Sequence, residues 1–435
     1  NMESASVTKK ERIVVIGGGF AGLNLIKNLD RKKFDIVLVD RHNYHSFPPL
    51  FYQIASSGLD PGSICFPLRR ELYRRLDGEG VSLSMGDAKC IDVSRKVVIT
   101  DHEEIHYDKV IIAIGTGNNF FNMPELIEDV FTIKSAPQAI RCRNQILWNL
   151  EEAAICKDRE RRRKLLTFVV VGGGPTGVEI AGALGEMKRY VLPREYPSIP
   201  QADFRILLVE AAPKLLGTMN PKSSDDVEKY LNHLMVDVKT GVGMNSYKDG
   251  VVKLADGQSI HADTVIWTAG VTGIALPIIG ANIRRTRGNR FEVDGCNRVK
   301  GLQDVYAVGD ICLMPDVDKA FPGGHPQLAQ VAIQQSRLLA RNLNKGQQKE
   351  FIYNDKGTMA TVGRNRAVAD LGKLHLSGFP AWFIWMFIHL ISILGMRNKI
   401  SVLINWIWAY FSYQSSLRIL IRPDKYPVKN RWREK

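Results

Sequence analysis

Gly17, Gly19 and Gly22 stand in IVVIGGGFAGLNLI, and Gly172, Gly174 and Gly177 stand in FVVVGGGPTGVEIAG. Each set spells G-x-G-x-x-G, a spacing suited to binding a pyrophosphate. The first glycine allows a tight turn. The second lets backbone N–H groups approach the phosphates, and the third lets a helix pack closely on a strand. Unpaired N–H groups and the positive end of the helix dipole then face the anion. A carboxylate completes each set. Asp40 ends FDIVLVD, 18 residues past Gly22, and Glu210 ends FRILLVE, 33 residues past Gly177. An acid in that place hydrogen-bonds a ribose 2′-OH and repels a 2′-phosphate, so Glu210 favours NAD over NADP. Two dinucleotides are expected on one chain.

The elements that must hold these residues follow from the flanking pattern. Residues 13–16 and 168–171 are unbroken apolar runs, the signature of strands buried on both faces. The longer second spacing requires a longer helix and loop over 188–202. YDKVIIAIGTG (107–117) reads as the strand and turn that leave the first unit, and WTAGV (267–271) as the equivalent exit of the second. GLQDVYAVGD (301–310) supplies a later strand closing on Gly309 and Asp310. That ending suits a flavin-binding half, whose Asp accepts from ribityl hydroxyls. The expected fold is α/β, with two Rossmann-like dinucleotide-binding domains, the second inserted in the first. The expected boundaries are 10–134 and 297–362 for the flavin domain, 135–296 for the NADH domain and 363–435 for a C-terminal membrane-associating region.

A length of 435 residues allows two or three domains with substantial cores. The net charge is +14, from 59 basic and 45 acidic residues. Zinc spacings, RNA-binding signatures and aromatic-interleaved basic grooves are lacking, which argues against nucleic acid as a partner. The basic residues gather at 69–75, 157–164 and 425–435. The last cluster follows the most apolar part of the chain and suggests an anionic membrane surface. No metal-ligand spacing is found among the six cysteines, and none forms C-x-x-C. Reduced thiols and a cytoplasmic setting fit. The opening residues lack an apolar core, so no signal peptide is expected, and Asn1 before Met2 reads as a cloning remnant.

Two dinucleotides in one chain imply a relay from NADH through a flavin to an acceptor. Disulfide reductases of this architecture place a cysteine pair after the first ribose acid. RHNYHSFPPLFYQIASSGLDP (41–61) has no cysteine, and Cys65 stands alone. HPQLAQVAIQQ (325–335) offers another acceptor. If Pro326 opens a helix, Gln330 and Gln334 fall four apart on one face. Two amides there suit the carbonyls of a quinone. By spacing alone the same pattern also reads as a solvated, glutamine-rich face.

GGGFAG, HSFPPLFYQIASSG, IIAIGTGNNFF, GGGPTGVE, WTAGV, VYAVGD and AQVAIQ occur in this order. Together they resemble the type II NADH dehydrogenases, single-subunit NADH:quinone oxidoreductases of respiratory membranes. The resemblance covers nearly the whole chain. It departs at Pro48, Phe51, Ser57 and Ile114, where the family often has Gln, Leu, Thr and Thr. These departures bear on the quinone pocket and the flavin edge, not on the fold.

The resemblance implies FAD on the first loop and NADH on the second. FAD contacts would come from Gly17, Gly19, Gly22, Asp40, Ala88, Gly115, Gly309, Asp310, Ala329 and Gln330. NAD contacts would come from Gly172, Gly174, Gly177, Glu210 and Gly270. The A-Q-x-A-x-Q motif would bring Gln330 and Gln334 near flavin and quinone. Glu179, just past the second loop, would face the flavin and nicotinamide. It reads either as a favourable charge at a helix start or as a proton relay for quinone reduction. His42 and His45 read as structural hydrogen-bonders near the flavin, and Asp203, Asp225 and Asp226 as solvated.

The implied activity is electron transfer from NADH through FAD to a membrane quinone without proton pumping, and no metal is expected. The rivals are a ferredoxin- or sulfide-linked reductase of the same fold and a membrane-bound redox sensor that does not turn over. A spanning helix needs ~20 predominantly apolar residues. Residues 380–396 fall short, and 400–421 carry Asn405, Gln414 and Arg418. The family points instead to amphipathic helices in one leaflet, with tryptophan and tyrosine at headgroup level. A monotopic homodimer on the cytoplasmic face of the cell membrane is expected, with Arg418, Arg422 and the tail from Lys425 on anionic headgroups. A two-helix hairpin spanning the bilayer is the rival topology.

Overall fold

The computed structural model describes residues 10–73, 81–412 and 417–420. In chain order the elements that matter for function begin with β1 (Glu11–Ile16), α1 (Phe20–Asn28), β2 (Phe34–Asp40), β3 (Val81–Met85) and β4 (Lys109–Ile112). Next come α2 (Ala136–Ile155), β5 (Thr167–Val171), α3 (Pro175–Glu186), β6 (Arg205–Glu210), α4 (Pro221–His233), β7 (Val236–Thr240) and β8 (Thr264–Trp267). Then follow β9 (Val305–Ala307), α5 (Ala329–Lys345), β10 (Thr358–Thr361), β11 (Ala367–Leu371), β12 (Leu374–Gly378), α6 (Phe379–Ser392) and α7 (Met396–Ser412).

The chain divides into two compact units. The first takes residues up to His45, Phe66–Gly117 and Val271–Asp355. Its main sheet runs β9-β4-β1-β2-β3 with all neighbours parallel. Ile13, Val14 and Val15 are fully buried, as the unbroken apolar run requires, because helices cover both faces of a parallel sheet. Each such side chain stabilises the fold by about 1.5–3 kcal/mol relative to leaving it in water. α1 and α5 pack together, and Gly309 fits between Ala21 and Ala332, whose Cβ atoms would each lie 3.2 Å from a Cβ at that glycine.

The second unit takes Ser46–Cys65, Asn118–Gly270 and the chain from Lys356 on. Its sheet runs β7-β6-β5-β8, again all parallel. The extra length before Glu210 is helical, as expected. α3 continues through Met187–Val191 and Leu192–Glu195 before a short turn at Gln201–Asp203. α3 also lies against β10 so closely that a Cβ on Gly182 would stand 3.0 Å from the Gly363 nitrogen.

Three expectations need correction. α5 starts at Ala329, not at Pro326, because Leu328 is extended (φ −127°, ψ 146°) and serves as the N-cap. The break between the last two helices falls at 393–395, before Arg397–Lys399 and not within them. α6 ends where Ile393 turns extended (φ −68°, ψ 140°), Gly395 (φ +79°) leads into α7, and the basic residues join α7. Asp203 is not solvated. It is buried and accepts from Arg162 Nε at 2.9 Å and Arg163 Nε at 3.0 Å, which organises the basic cluster at 157–164.

No helix among the described residues is long and apolar enough to cross a membrane. Arg422 and the tail from Lys425 lie outside the described residues.

Candidate functional site

Both glycine loops are built to one plan. Gly17 has φ +105°, and a Cβ there would stand 2.4 Å from the Ala113 oxygen just past β4. A Cβ on Gly22 would meet the Gly17 oxygen at 1.8 Å, so helix and loop close only with glycine. Gly19 differs, since a Cβ there meets nothing within 4 Å. It is the N-cap of α1, without a side-chain cap. The second loop repeats each feature, with φ +111° at Gly172, 1.8 Å from Gly177 to the Gly172 oxygen, and open space at Gly174, the uncapped start of α3. Uncapped helix N–H groups beside open space are what a pyrophosphate requires.

The two acids are held alike. Asp40 accepts from Gly18 N–H at 2.6 Å and His42 N–H at 2.7 Å. Glu210 accepts from Gly173 N–H at 2.5 Å and Ala212 N–H at 2.7 Å. Burial raises the Asp40 pKa, and the Gly18 and His42 N–H groups oppose it. Each carboxylate therefore braces its loop as well as standing where a ribose would lie. His45 is a structural hydrogen-bonder. Its Nδ1–H donates to the Gly18 oxygen at 2.8 Å, and burial lowers its pKa.

The remaining cofactor candidates of the first unit surround the carboxyl ends of its strands. Gly115 (φ +69°) follows β4 in open space. Ala88 opens a strand just after Gly86, whose N–H donates to the Asp40 oxygen at 2.9 Å. Gly309 has φ +78°, and the Asp310 carbonyl accepts from Arg290 Nε at 3.0 Å. Ala329 and Gln330 open α5.

Gln330 Oε1 accepts from the Tyr353 hydroxyl at 3.3 Å. Gln334 donates to the Asn354 carbonyl at 2.9 Å and accepts its N–H at 3.0 Å, so its amide braces an exposed turn. Sequence reasoning missed Gln335, one residue on. It is buried, and its Oε1 accepts the Gly309 N–H at 2.9 Å. Thr268 was missed too. Its hydroxyl donates to the Val171 and Gly172 carbonyls at 2.9 and 3.1 Å, fixing the second loop to the end of β8. Gly270, two residues further, has φ +86°.

Glu179 is the fifth residue of α3, beyond the first turn, and is buried. Burial pushes its pKa up to about 8, opposed only by the Thr361 N–H. The reading as a charge that complements the helix start does not hold, because that effect fades within the first turn and this acid is neutral near pH 7. Tyr52, on the short helix Phe51–Ala55, is also buried. Its pKa rises well above the usual value, first through burial and then through the charges of Glu179 and Glu186. Glu186 accepts from the Arg364 N–H at 2.6 Å; burial raises its pKa and the Arg364 charge opposes.

Tyr52 and Glu186 both line a cavity inside the second unit. Four segments build it, namely Tyr52–Gly58, part of 183–191, Gly363 with Arg364, and residues of α6, α7 and beyond. Trp382, Trp385, Trp406 and Tyr410 form its aromatic wall. Arg418 lies in the same lining, ion-paired to Glu195 through Nε at 2.8 Å with only 8% of its side chain exposed. It therefore does not face headgroups as expected. Burying a guanidinium requires a partner, and Glu195 supplies it. Gln330 and Gln334 are not among the lining residues. HSFPPLFYQIASSG contained Tyr52 and Gln53, but nothing in its spacing pointed to a cavity.

This geometry places the chain in a class, since residues 11–336 match the family model of the pyridine nucleotide-disulphide oxidoreductases. Residues 356–414 match the model of the NDH2 C-terminal domain. The chain belongs to the type II NADH:quinone oxidoreductases. It is 34% identical over 424 residues to the type II NADH:quinone oxidoreductase Ndh of Mycobacterium tuberculosis, covering 94% of this chain and 90% of that protein. Among solved structures it is similar to NDH2 from Plasmodium falciparum in complex with NADH, at TM-score 0.87 and 22% identity, over 95% of this chain and 100% of that one. The sulfide:quinone oxidoreductase of Aquifex aeolicus shares the fold at TM-score 0.70 and 17% identity, over 95% and 96% of the two chains.

Proposed function

We propose that this chain passes electrons from NADH through bound FAD to a membrane quinone, without pumping protons. The observation that carries the reading is the doubled loop, each copy closed by a carboxylate on its own N–H groups, in a chain whose six cysteines are all free. The residues fit the two dinucleotides, since both uncapped helix starts open on free space. Gly17, Gly19, Gly22, Asp40, Ala88, Gly115, Gly309, Asp310, Ala329 and Gln330 would hold FAD. Gly172, Gly174, Gly177, Glu210 and Gly270 would hold NADH. Bound FAD supplies the two-electron carrier between nicotinamide and quinone.

Reducing a quinone to a quinol takes two electrons and two protons, whereas NADH gives two electrons with one proton. Glu179, protonated near neutral pH, is suited to deliver one. Tyr52, whose hydroxyl accepts from Gln53, lines the cavity and offers that hydroxyl as a proton donor on the quinone side. Gln330 and Gln334 act at the flavin–quinone side of α5.

The functional division is 10–134 with 297–362 for FAD, 135–296 for NADH and 363–435 for the membrane. α6 exposes Phe379, Phe383, Phe387 and Ile391, and α7 exposes Ile400, Ile404, Ile407, Trp408 and Phe411. Steps of three and four put each set on one helix face. These faces support a monotopic anchor; the cytoplasmic side of the cell membrane and a homodimer complete the proposal. Steady-state NADH oxidation by purified holoenzyme with decylubiquinone tests the reading. Saturable, equimolar consumption of NADH and quinone is expected, and NADH oxidation with ferricyanide but no quinone would overturn it.

A further inference from the structure

Trp385 lies on the buried face of α6 and is 2% exposed. Its ring stacks on His389, with centroids 4.3 Å apart and planes at 27°, and packs tilted against Trp406 at 5.6 Å. Trp406 is satisfied, because its Nε1–H donates to Gln53 Oε1 at 2.8 Å, and Gln53 in turn donates to the Tyr52 hydroxyl at 2.9 Å. The Trp385 Nε1–H is buried and has no acceptor among the described residues, although Trp385 lines the cavity. His389 does not accept it with Nδ1, which donates to the Trp385 carbonyl at 2.7 Å. Burial lowers the His389 pKa to about 4, so the ring beside the indole is neutral.

A buried donor left unpaired costs about 1–3 kcal/mol, and an indole N–H can only donate. A cavity wall that keeps one is suited to a ligand with an acceptor in reach. The flat rings of Tyr52, Trp382, Trp406 and Tyr410 fit a planar ring, and Gln53, Glu186, Arg364 and Arg418 belong to the polar part of the lining. An aliphatic tail has no acceptor, whereas a quinone ring carries one at each carbonyl. We propose that Trp385 is a positioning residue whose indole N–H donates to one carbonyl oxygen of the quinone ring. The assignment rests on the quinone-reductase reading above and adds the residue that orients the ring. It also separates the roles of two adjacent tryptophans, since Trp406 is held by Gln53 and Trp385 keeps its donor for the substrate.

The test uses full-length holoenzyme in three forms: wild type, Trp385→Phe, and Trp385 replaced by β-3-benzothienylalanine, which keeps the shape without the N–H. Binding of decylubiquinone to the oxidised protein is read by tryptophan fluorescence quenching, and turnover by KM and kcat. Both variants should weaken binding and raise KM about 3- to 10-fold, the loss of one neutral hydrogen bond, with kcat and the rate of flavin reduction by NADH unchanged. The benzothienyl form should melt no lower than wild type, because the N–H it lacks makes no bond within the protein. Wild-type affinity in the benzothienyl form would overturn the assignment, whatever Trp385→Phe does, since packing alone would then explain the residue. Failure of the wild type to reduce or bind decylubiquinone would overturn the reading of the whole site and this role with it.

Discussion

Glu179 is a carboxylic acid kept neutral by its surroundings, and that state has a thermodynamic signature. Its pKa is about 8 in the fold, against an unfolded value near 4.5. Between those values the folded protein holds a proton that the unfolded chain has released. Stability therefore falls as pH rises from 4.5 to about 8, then levels off. Glu179→Gln should keep FAD, flatten that part of the curve, and lower quinone turnover with loss of its alkaline dependence. Melting temperature and kcat measured across pH check both parts, and an unchanged kcat profile would remove Glu179 from proton delivery. Glu210 allows a second prediction at this scale. Charge-assisted bonds contribute about 1.5–3 kcal/mol, so Glu210→Ala should lower kcat/KM for NADH about 10- to 100-fold and affect NADPH less. Equal losses for both cofactors would reduce Glu210 to a brace for Gly173 and Ala212.

At the scale of elements, what was legible in the sequence was what is local. Each glycine loop spans a strand end and a helix start, so its spacing records its shape. The ribose acids were legible because β2 and β6 lie beside β1 and β5 in register. Gln335 was not legible, because Gly309, the group it holds, lies 26 residues away in sequence. The cavity was hidden for the same reason, since four separate segments build it. α5 shows the distinction within one helix. Gln335→Ala leaves the buried Gly309 N–H unpaired, so it should cost about 1–3 kcal/mol and lower FAD retention. Gln334→Ala should keep FAD, Gln330→Ala should lose part of it, and both should slow quinone reduction more than flavin reduction. FAD content per chain, melting temperature and stopped-flow rates separate the three variants. A Gln334→Ala enzyme that reduces quinone at the wild-type rate would leave that residue as a brace for Asn354 alone.

For the molecule as a whole, the last two helices serve two purposes. Their buried faces hold Trp385 and Val402, and Asn398 donates to the Cys65 carbonyl at 3.1 Å. Their exposed faces carry the aromatic and aliphatic stripes. Deleting the chain after Gly378 would therefore remove the cavity wall along with any anchor, and would not isolate membrane binding. Substitution on the exposed face alone does. Ile404→Glu with Phe411→Glu should release the protein from sedimented vesicles containing anionic lipid. NADH oxidation by ferricyanide should be unchanged. Retention of the double variant on vesicles would place the anchor elsewhere.

Electrons pass from NADH to a quinone through this chain in two half-reactions that share one flavin. Anaerobic double-mixing stopped flow tests it most directly, with NADH added first to purified holoenzyme and decylubiquinone second. NADH should bleach the flavin stoichiometrically and NADPH much less, and decylubiquinone should restore the full oxidised spectrum with one quinol formed per NADH. A flavin reduced by NADH that decylubiquinone leaves reduced would contradict this transfer.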